Sequence, residues 1–98
     1  MIAIDTNLLV YAHREGLAEH RAARRAIEEA ANHSGGWGIP LPCIAELWSV
    51  VTHPAAAPRP SRPDEVRDYL AALAEAGVVL LLPGSSFGDR LLRLAHDL

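Results

Sequence analysis

The chain opens on a short apolar run that meets an acid and then resumes as a second apolar run. Residues 1–4 include two isoleucines, residues 5–7 are polar, and residues 8–12 have the length and spacing of a short helix. We therefore expect a buried strand that carries Asp5 at its C-terminal end. A helix over residues 7–13 is expected to follow it.

Three later segments carry the apolar spacing of amphipathic helices. Residues 18–31 show it most clearly, because Ala and Ile recur there at positions that share one helix face. A helix that begins at Pro42 presents one broad apolar arc. A further helix is expected to run from a capping box formed by Ser61 and Asp64 to Gly77.

Two later runs predict strands. Residues 37–41 alternate between apolar residues and Gly or Pro, and residues 78–82 are continuously apolar, as is typical of a strand buried on both faces. A last helix, capped by Ser85 or Ser86 and with Asp89 in its first turn, is expected to end the chain. Helical connections between successive strands imply an α/β domain with a parallel sheet and helices on both faces.

Length and composition bound the class of protein. The 98 residues, half of them apolar, suffice for one small domain over residues 1–98. The longest apolar run, residues 78–82, is too short to cross a membrane, and the N-terminus lacks the pattern of a signal peptide, so we expect a cytoplasmic protein. The single Cys43 fits a reducing compartment. Four prolines within residues 53–63 predict a surface loop.

The charge balance argues against a broad basic surface. The net charge is −3, and all nine basic residues are arginine. A nucleic acid would have to be bound locally, through a few arginines or through metal ions that bridge acids to phosphate. Arg21, Arg24 and Arg25 cluster on the outer face of the second helix, where possible pairing with Glu28 and Glu29 favours a solvated face over a phosphate contact.

Two acids are candidates for a functional site. Asp5 follows the first strand, and ligands of open α/β sheets bind beyond the carboxyl ends of strands. Asp is also a preferred helix N-cap, and spacing alone favours capping. Glu46 falls at the margin of the apolar arc of its helix, where a partly desolvated carboxylate suits a metal ligand. An ordinary boundary residue that reaches water is the simpler interpretation of Glu46.

Residues 4–12 (IDTNLLVYA) and 40–54 (PLPCIAELWSVVTHP) together resemble the PIN-domain family, and more closely its VapC toxins of bacterial toxin–antitoxin pairs. The resemblance implies a three-layer α/β sandwich with a parallel central sheet. It also implies a metal-dependent endoribonuclease in which Asp5 and Glu46 are the first two acids and hold Mg²⁺ or Mn²⁺. Such carboxylates suit these cations, which prefer oxygen ligands.

The resemblance also implies roles for the two residues after Asp5 and binding partners for the protein. Thr6 and Asn7 would orient Asp5 or the water around it. RNA would be the substrate, and a cognate antitoxin protein would bind the toxin. No membrane partner is expected.

The chain departs from the family at its C-terminal end. Members continue beyond the position of Leu98 and carry a third and often a fourth acid there, for which Asp97 is a poor substitute. The resemblance therefore predicts a PIN-like fold that lacks the C-terminal strands. The first strand would be an apolar edge that favours a homodimer or strand exchange, and the 98 residues would cleave RNA poorly or not at all.

Two other classes of function were compared with this one. A non-catalytic PIN-like remnant could bind an antitoxin or dimerise without chemistry. Phosphotransfer folds that place Asp at a strand end fit less well. The receiver pattern needs an acid where this chain has Pro83 and Gly84, and the dehalogenase pattern needs one where it has Asn7.

Overall fold

The computed structural model describes residues 1–82. The predicted last helix, with Ser85, Ser86 and Asp89, lies outside the described residues, as does Asp97. The elements in chain order are β1 (Ile2–Ala3), α1 (Thr6–His13), α2 (His20–Ala31), β2 (Trp37–Pro40), α3 (Leu41–Thr52), α4 (Pro63–Glu75) and β3 (Val79–Leu81). Within residues 1–82, none of the helices has the length and apolar character needed to span a membrane.

The three strands form one parallel sheet in the order β1-β2-β3. Ile2 pairs with Trp37, and Gly38 pairs with Val79. Each connection between strands contains two helices, and the predicted α/β fold with a parallel sheet is confirmed. In the described part of the chain β1 is an edge strand, as the sequence predicts.

At two positions glycine is required for a steric or a conformational reason. A Cβ added at Gly38 would lie 2.8 Å from Leu81 Cγ and 3.0 Å from the carbonyl oxygen of Val79, so the close approach of β2 and β3 requires glycine there. Gly77 has φ +91°, the left-handed conformation that commonly ends a helix. The prediction that α4 stops at Gly77 is confirmed, since the helix ends at Glu75.

The core lies between the helices and the sheet. Its fully buried side chains come from four helices or strands and are Leu9, Ile39, Leu47, Val51 and Val66. Two side-chain hydrogen bonds add to this packing. The Tyr69 hydroxyl donates to the carbonyl of Leu9 at 2.9 Å, and Trp37 Nε1 donates to the carbonyl of Ala76 at 3.3 Å. These bonds join α4 to α1 and to the sheet.

Two strand predictions were wrong about burial. Ile2 and Ala3 of β1 are exposed, and burial begins only at Ile4. In β3, Val79 and Leu80 are 43% and 48% exposed rather than buried on both faces. Both strands lie at edges of the described sheet, so each has one neighbour. An apolar run cannot show whether a strand will be central or at an edge.

Some element boundaries also differ. Helix α1 begins at Thr6, one residue earlier than predicted, and α2 begins at His20, two residues later. Ser61 does not cap α4, because its hydroxyl bonds to His13 and its side chain is buried. The cap is Arg62, whose backbone N–H donates to Glu65 Oε1 at 3.3 Å.

Candidate active site

Asp5 stands between β1 and α1 and is the N-cap of α1. Its backbone is extended, and Oδ1 accepts a hydrogen bond of 2.9 Å from the backbone N–H of Leu8. The capping interpretation is therefore confirmed. Capping uses one carboxylate oxygen, and the side chain is exposed, so capping and ligand binding are compatible at Asp5.

Glu46 lies in the second turn of α3. The next residue, Leu47, is completely buried, which fixes the rotation of the helix and turns Glu46 outward. The carboxylate is exposed, so the expectation of a partly desolvated margin was wrong. The apolar arc of α3 is narrower in the structure than in the sequence pattern, because Trp48 and Val50 are also exposed.

Thr6 joins the two candidate acids. It follows Asp5 directly, and its hydroxyl donates to Glu46 Oε2 at 3.1 Å. Residues 40 positions apart in the chain are thereby held together. The sequence predicted that Thr6 would orient Asp5, whereas its hydroxyl bonds to Glu46. Asn7 is exposed on the same turn of α1.

The donor set of this site is made of oxygen atoms. Two exposed carboxylates and a hydroxyl suit a hard cation such as Mg²⁺, which usually keeps several waters and binds through one or two carboxylates plus a substrate phosphate. Within residues 1–82, no group of three His, Cys, Asp or Glu side chains gathers in one place.

A cavity of about 630 Å³ lies at the opposite end of α1, between α2, α4 and the proline-rich loop. Neither candidate acid lines it, so it is separate from the site at Asp5. Its charged and polar lining residues are His13, Arg14, Glu15, His20, Arg24, Glu28, Arg59, Ser61, Glu65 and Tyr69.

Arg14 is the main polar residue of this region that sequence reasoning missed. It is the C-cap of α1 and only 8% exposed. Its guanidinium donates to the carbonyl of Val51 at 3.0 Å and to the carbonyl of Arg59. A buried cation needs such hydrogen bonds, and these tie the ends of α1 and α3 to the proline-rich loop. In the sequence, the only signal for a role of Arg14 is its position directly after the first helix.

His13 is half-buried beside Arg14. His13 Nε2 and Ser61 Oγ share a hydrogen bond of 2.9 Å, and the ring centroid lies 4.8 Å from that of Tyr69. Burial is the main cause that holds the pKa of His13 below its usual 6.5, and the Arg14 guanidinium adds to it. Burial likewise raises the pKa of Tyr69.

Ion pairs gather where the proline-rich loop meets α4. Arg59 donates to both carboxylate oxygens of Glu65, at 3.0 and 3.2 Å, and Arg62 pairs with Asp64 at 3.2 Å. The hydrogen bond from Arg59, followed by that from the backbone of Arg62, lowers the pKa of Glu65 to about 2. This cluster fixes the start of α4.

Comparison with known proteins agrees with this architecture. The family model described as PIN domain matches residues 2–98. The chain is 34% identical over 98 residues to the VapC ribonuclease Mb2897 of Mycobacterium bovis, and equally to the ribonuclease VapC43 of Mycobacterium tuberculosis. Each alignment covers 99% of this chain and 67% of the relative. The chain therefore belongs to the PIN-domain family.

Proposed function

We propose that this chain is the toxin of a bacterial toxin–antitoxin pair and that it hydrolyses RNA phosphodiester bonds. The reaction depends on Mg²⁺ or Mn²⁺ held by Asp5 and Glu46. The observation that carries the proposal is the hydrogen bond from Thr6 to Glu46, because it holds an acid of α3 at the N-terminus of α1, next to Asp5. The relatives named as VapC ribonucleases support the same chemistry.

The residues of the chain prepare the site before any ligand arrives. The N–H of Leu8 holds one oxygen of Asp5, which leaves the other to face solvent. Thr6 restrains Glu46 in the same way through Oε2. Both acids can then bind a metal ion with little loss of side-chain freedom. Preorganisation of this kind increases metal affinity. Asn7 supplies an exposed amide that can hydrogen-bond to water or to a phosphate oxygen.

A divalent cation bound by these carboxylates would activate a water molecule and stabilise the charge that develops on the phosphate oxygens. The site lies on an exposed surface, which an RNA chain can approach without unfolding of the protein. The proposal places the protein in the cytoplasm with its RNA substrate and a cognate antitoxin. A homodimer is proposed from β1, which is an exposed edge strand within residues 1–82 and whose Ile2 and neighbouring Met1 are apolar.

A second candidate function is a non-catalytic PIN-like module that binds an antitoxin or dimerises. The observation that favours it is that no group of three His, Cys, Asp or Glu side chains gathers within residues 1–82. Two carboxylates hold a cation more weakly than three or four. A site limited to Asp5 and Glu46 would therefore bind metal weakly and cleave RNA slowly.

Calorimetric titration with Mn²⁺ separates the two functions. Wild type is expected to bind Mn²⁺, and Asp5→Asn or Glu46→Gln is expected to abolish the binding heat. Glu29→Gln, which removes an exposed acid from α2, is the matched control and should bind like wild type. A wild type without Mn²⁺ binding would support the non-catalytic module.

Cleavage of RNA with Mg²⁺ provides the second measurement. We expect slow cleavage by wild type that stops in EDTA and in both acid variants. Cleavage that persists in EDTA, or that survives Asp5→Asn, would contradict the proposal. Glu29→Gln again serves as the control for the loss of one negative charge.

A further inference from the structure

Four basic side chains line one shallow concavity on the first two turns of α2. They are His20, Arg21, Arg24 and Arg25; Glu28 completes the lining, and the concavity has a volume of about 410 Å³. The three arginines are exposed. We call these four residues the α2 basic row. His20 and Arg24 also line the 630 Å³ cavity.

The arginines of the α2 basic row form no ion pair with the acids of their own helix within residues 1–82. The sequence places Glu28 four residues after Arg24 and Glu29 four residues after Arg25, the less favourable order for such pairs. In the structure neither pair forms, and every ion pair within residues 1–82 belongs to the cluster at the start of α4. The three exposed guanidinium groups are therefore available to an external partner.

This arrangement does not favour the helix itself. A helix N-terminus carries partial positive charge, so cations in the first turns destabilise it and acids stabilise it. The first turn of α2 contains no acid, and the N-cap Glu19 makes no side-chain hydrogen bond to the helix. The arginines are exposed and add nothing to the core. Residues that weaken their own helix without contributing to the core are expected where they serve a function.

We infer that the α2 basic row binds the phosphodiester backbone of RNA at a distance from the acids. The inference rests on the proposed function, since it takes RNA as the substrate. With a net charge of −3, the protein as a whole does not attract a polyanion, so RNA must be held locally, and exposed arginines can do this in addition to metal at the acids. Guanidinium groups match phosphate because they can donate two parallel hydrogen bonds.

The position of the α2 basic row fits this role. His20 Nδ1 lies 3.0 Å from the carbonyl oxygen of Tyr11. Tyr11 is six residues after Asp5, which corresponds to about 9 Å of helix rise along α1. An RNA strand at the acids can therefore reach the α2 basic row within a few nucleotides. The row would hold the strand through its backbone, with no selection of bases.

The test compares two double variants that each remove two positive charges. Arg21→Gln with Arg25→Gln changes the α2 basic row, and Arg62→Gln with Arg67→Gln changes exposed arginines at and within α4. Binding of a labelled single-stranded RNA of about 20 nucleotides and mixed sequence is measured in EDTA over a series of salt concentrations. EDTA prevents metal-dependent cleavage, so binding is measured apart from chemistry. Circular dichroism verifies that both variants are folded.

We expect the α2 double variant to bind RNA about 10-fold more weakly at low salt. The slope of log affinity against log salt should fall in magnitude by about 1.4, since each phosphate contact with a single strand contributes about 0.7. The α4 double variant should keep the wild-type slope. Equal losses in both double variants, an unchanged slope in the α2 variant, or no RNA binding by wild type would each overturn the inference.

The outcome also separates this inference from the proposed function. If wild type cleaves RNA with Mg²⁺ but the α2 variant keeps the wild-type salt slope, the α2 basic row is not an RNA contact and the proposed function is untouched. If wild type does not cleave RNA but the α2 variant alone loses affinity and slope, the RNA contact holds and the proposed function fails.

Discussion

The hydroxyl of Thr6 donates a hydrogen bond of 3.1 Å to Oε2 of Glu46 and so joins the first residue of α1 to the second turn of α3. Asp5 is the residue before Thr6, and its own carboxylate is fixed by the N–H of Leu8. One short segment of backbone thus restrains both candidate acids. Neither acid needs a direct contact with the other for this arrangement to hold.

Thr6→Val should weaken Mn²⁺ binding. Valine keeps the shape of threonine but cannot donate to Glu46, whose carboxylate would then adopt more conformations. Loss of a residue that orients a metal ligand typically costs about 10-fold or more in metal affinity. Titration calorimetry measures the change. Thr6→Ser, which keeps the hydroxyl, should bind Mn²⁺ like wild type, and equal affinities of Thr6→Val and wild type would show that the hydrogen bond has no role at the site.

Two neighbouring valines of α3 should differ sharply in their effect on stability. Val51 is completely buried, whereas Val50 is 50% exposed. Val51→Ala removes two methyl groups from the core and leaves a cavity, which should lower the free energy of unfolding by about 2 kcal/mol. Val50→Ala should change it by less than about 0.5 kcal/mol. Urea denaturation measures both, and similar losses would contradict the described rotation of α3.

Local pattern predicted most of this fold because each strand and helix carries its own signal. The runs before Asp5 and after Gly77 predicted the first and last described strands, and the proline-rich segment after His53 was expected to be a loop. The pattern does not reveal which other strands and helices pack around each element. Burial of β3 was overestimated because an apolar run does not reveal how many neighbours its strand will have.

The sequence named the candidate site residues, which remain a prediction, but not the contacts between them. Asp5 and Glu46 were identified from the sequence, while the bond from Thr6 to Glu46 depends on the packing of α1 against α3. The buried Arg14 was missed for the same reason, because its partners are carbonyl groups brought close by the fold. Backbone carbonyls exist at every residue, so no sequence pattern marks the ones that will bind a cation.

Protonation of His13 should lower the free energy of unfolding in mild acid. Its pKa in the folded protein lies below 6.5, so the unfolded chain takes up more protons as the pH falls through that value. The contribution of neutral His13 is complete above pH 6.5 and is lost progressively below it. Urea denaturation of wild type and His13→Gln at a series of pH values measures this effect.

Comparison with His13→Gln separates protonation of the His13 ring from other effects of acid. Glutamine can still reach Ser61 by a hydrogen bond but does not titrate. We expect its free energy of unfolding to fall less than that of wild type between neutral pH and about pH 5. Parallel pH profiles for the two proteins would show that protonation of His13 does not oppose folding.

Arg21→Glu should stabilise the protein while weakening RNA binding. The substitution places an acid in the first turn of α2, where the helix dipole favours it, and it creates a Glu–Arg pair with Arg25 in the favourable i,i+4 order. Together these effects should add about 1 kcal/mol, or about 4 to 8 °C in the melting temperature of a domain of this size.

Arg67→Glu on α4 is the control for Arg21→Glu, because Arg67 lies beyond the first turn of its helix and three residues after Asp64. It should lower the melting temperature slightly, since it places like charges at i,i+3 spacing. A lower melting temperature for Arg21→Glu would show that Arg21 already has a stabilising partner, and the charge of the α2 basic row would then belong to the fold. A higher one, together with weaker RNA binding, would show that α2 gives up stability to keep positive charge at its N-terminal turns.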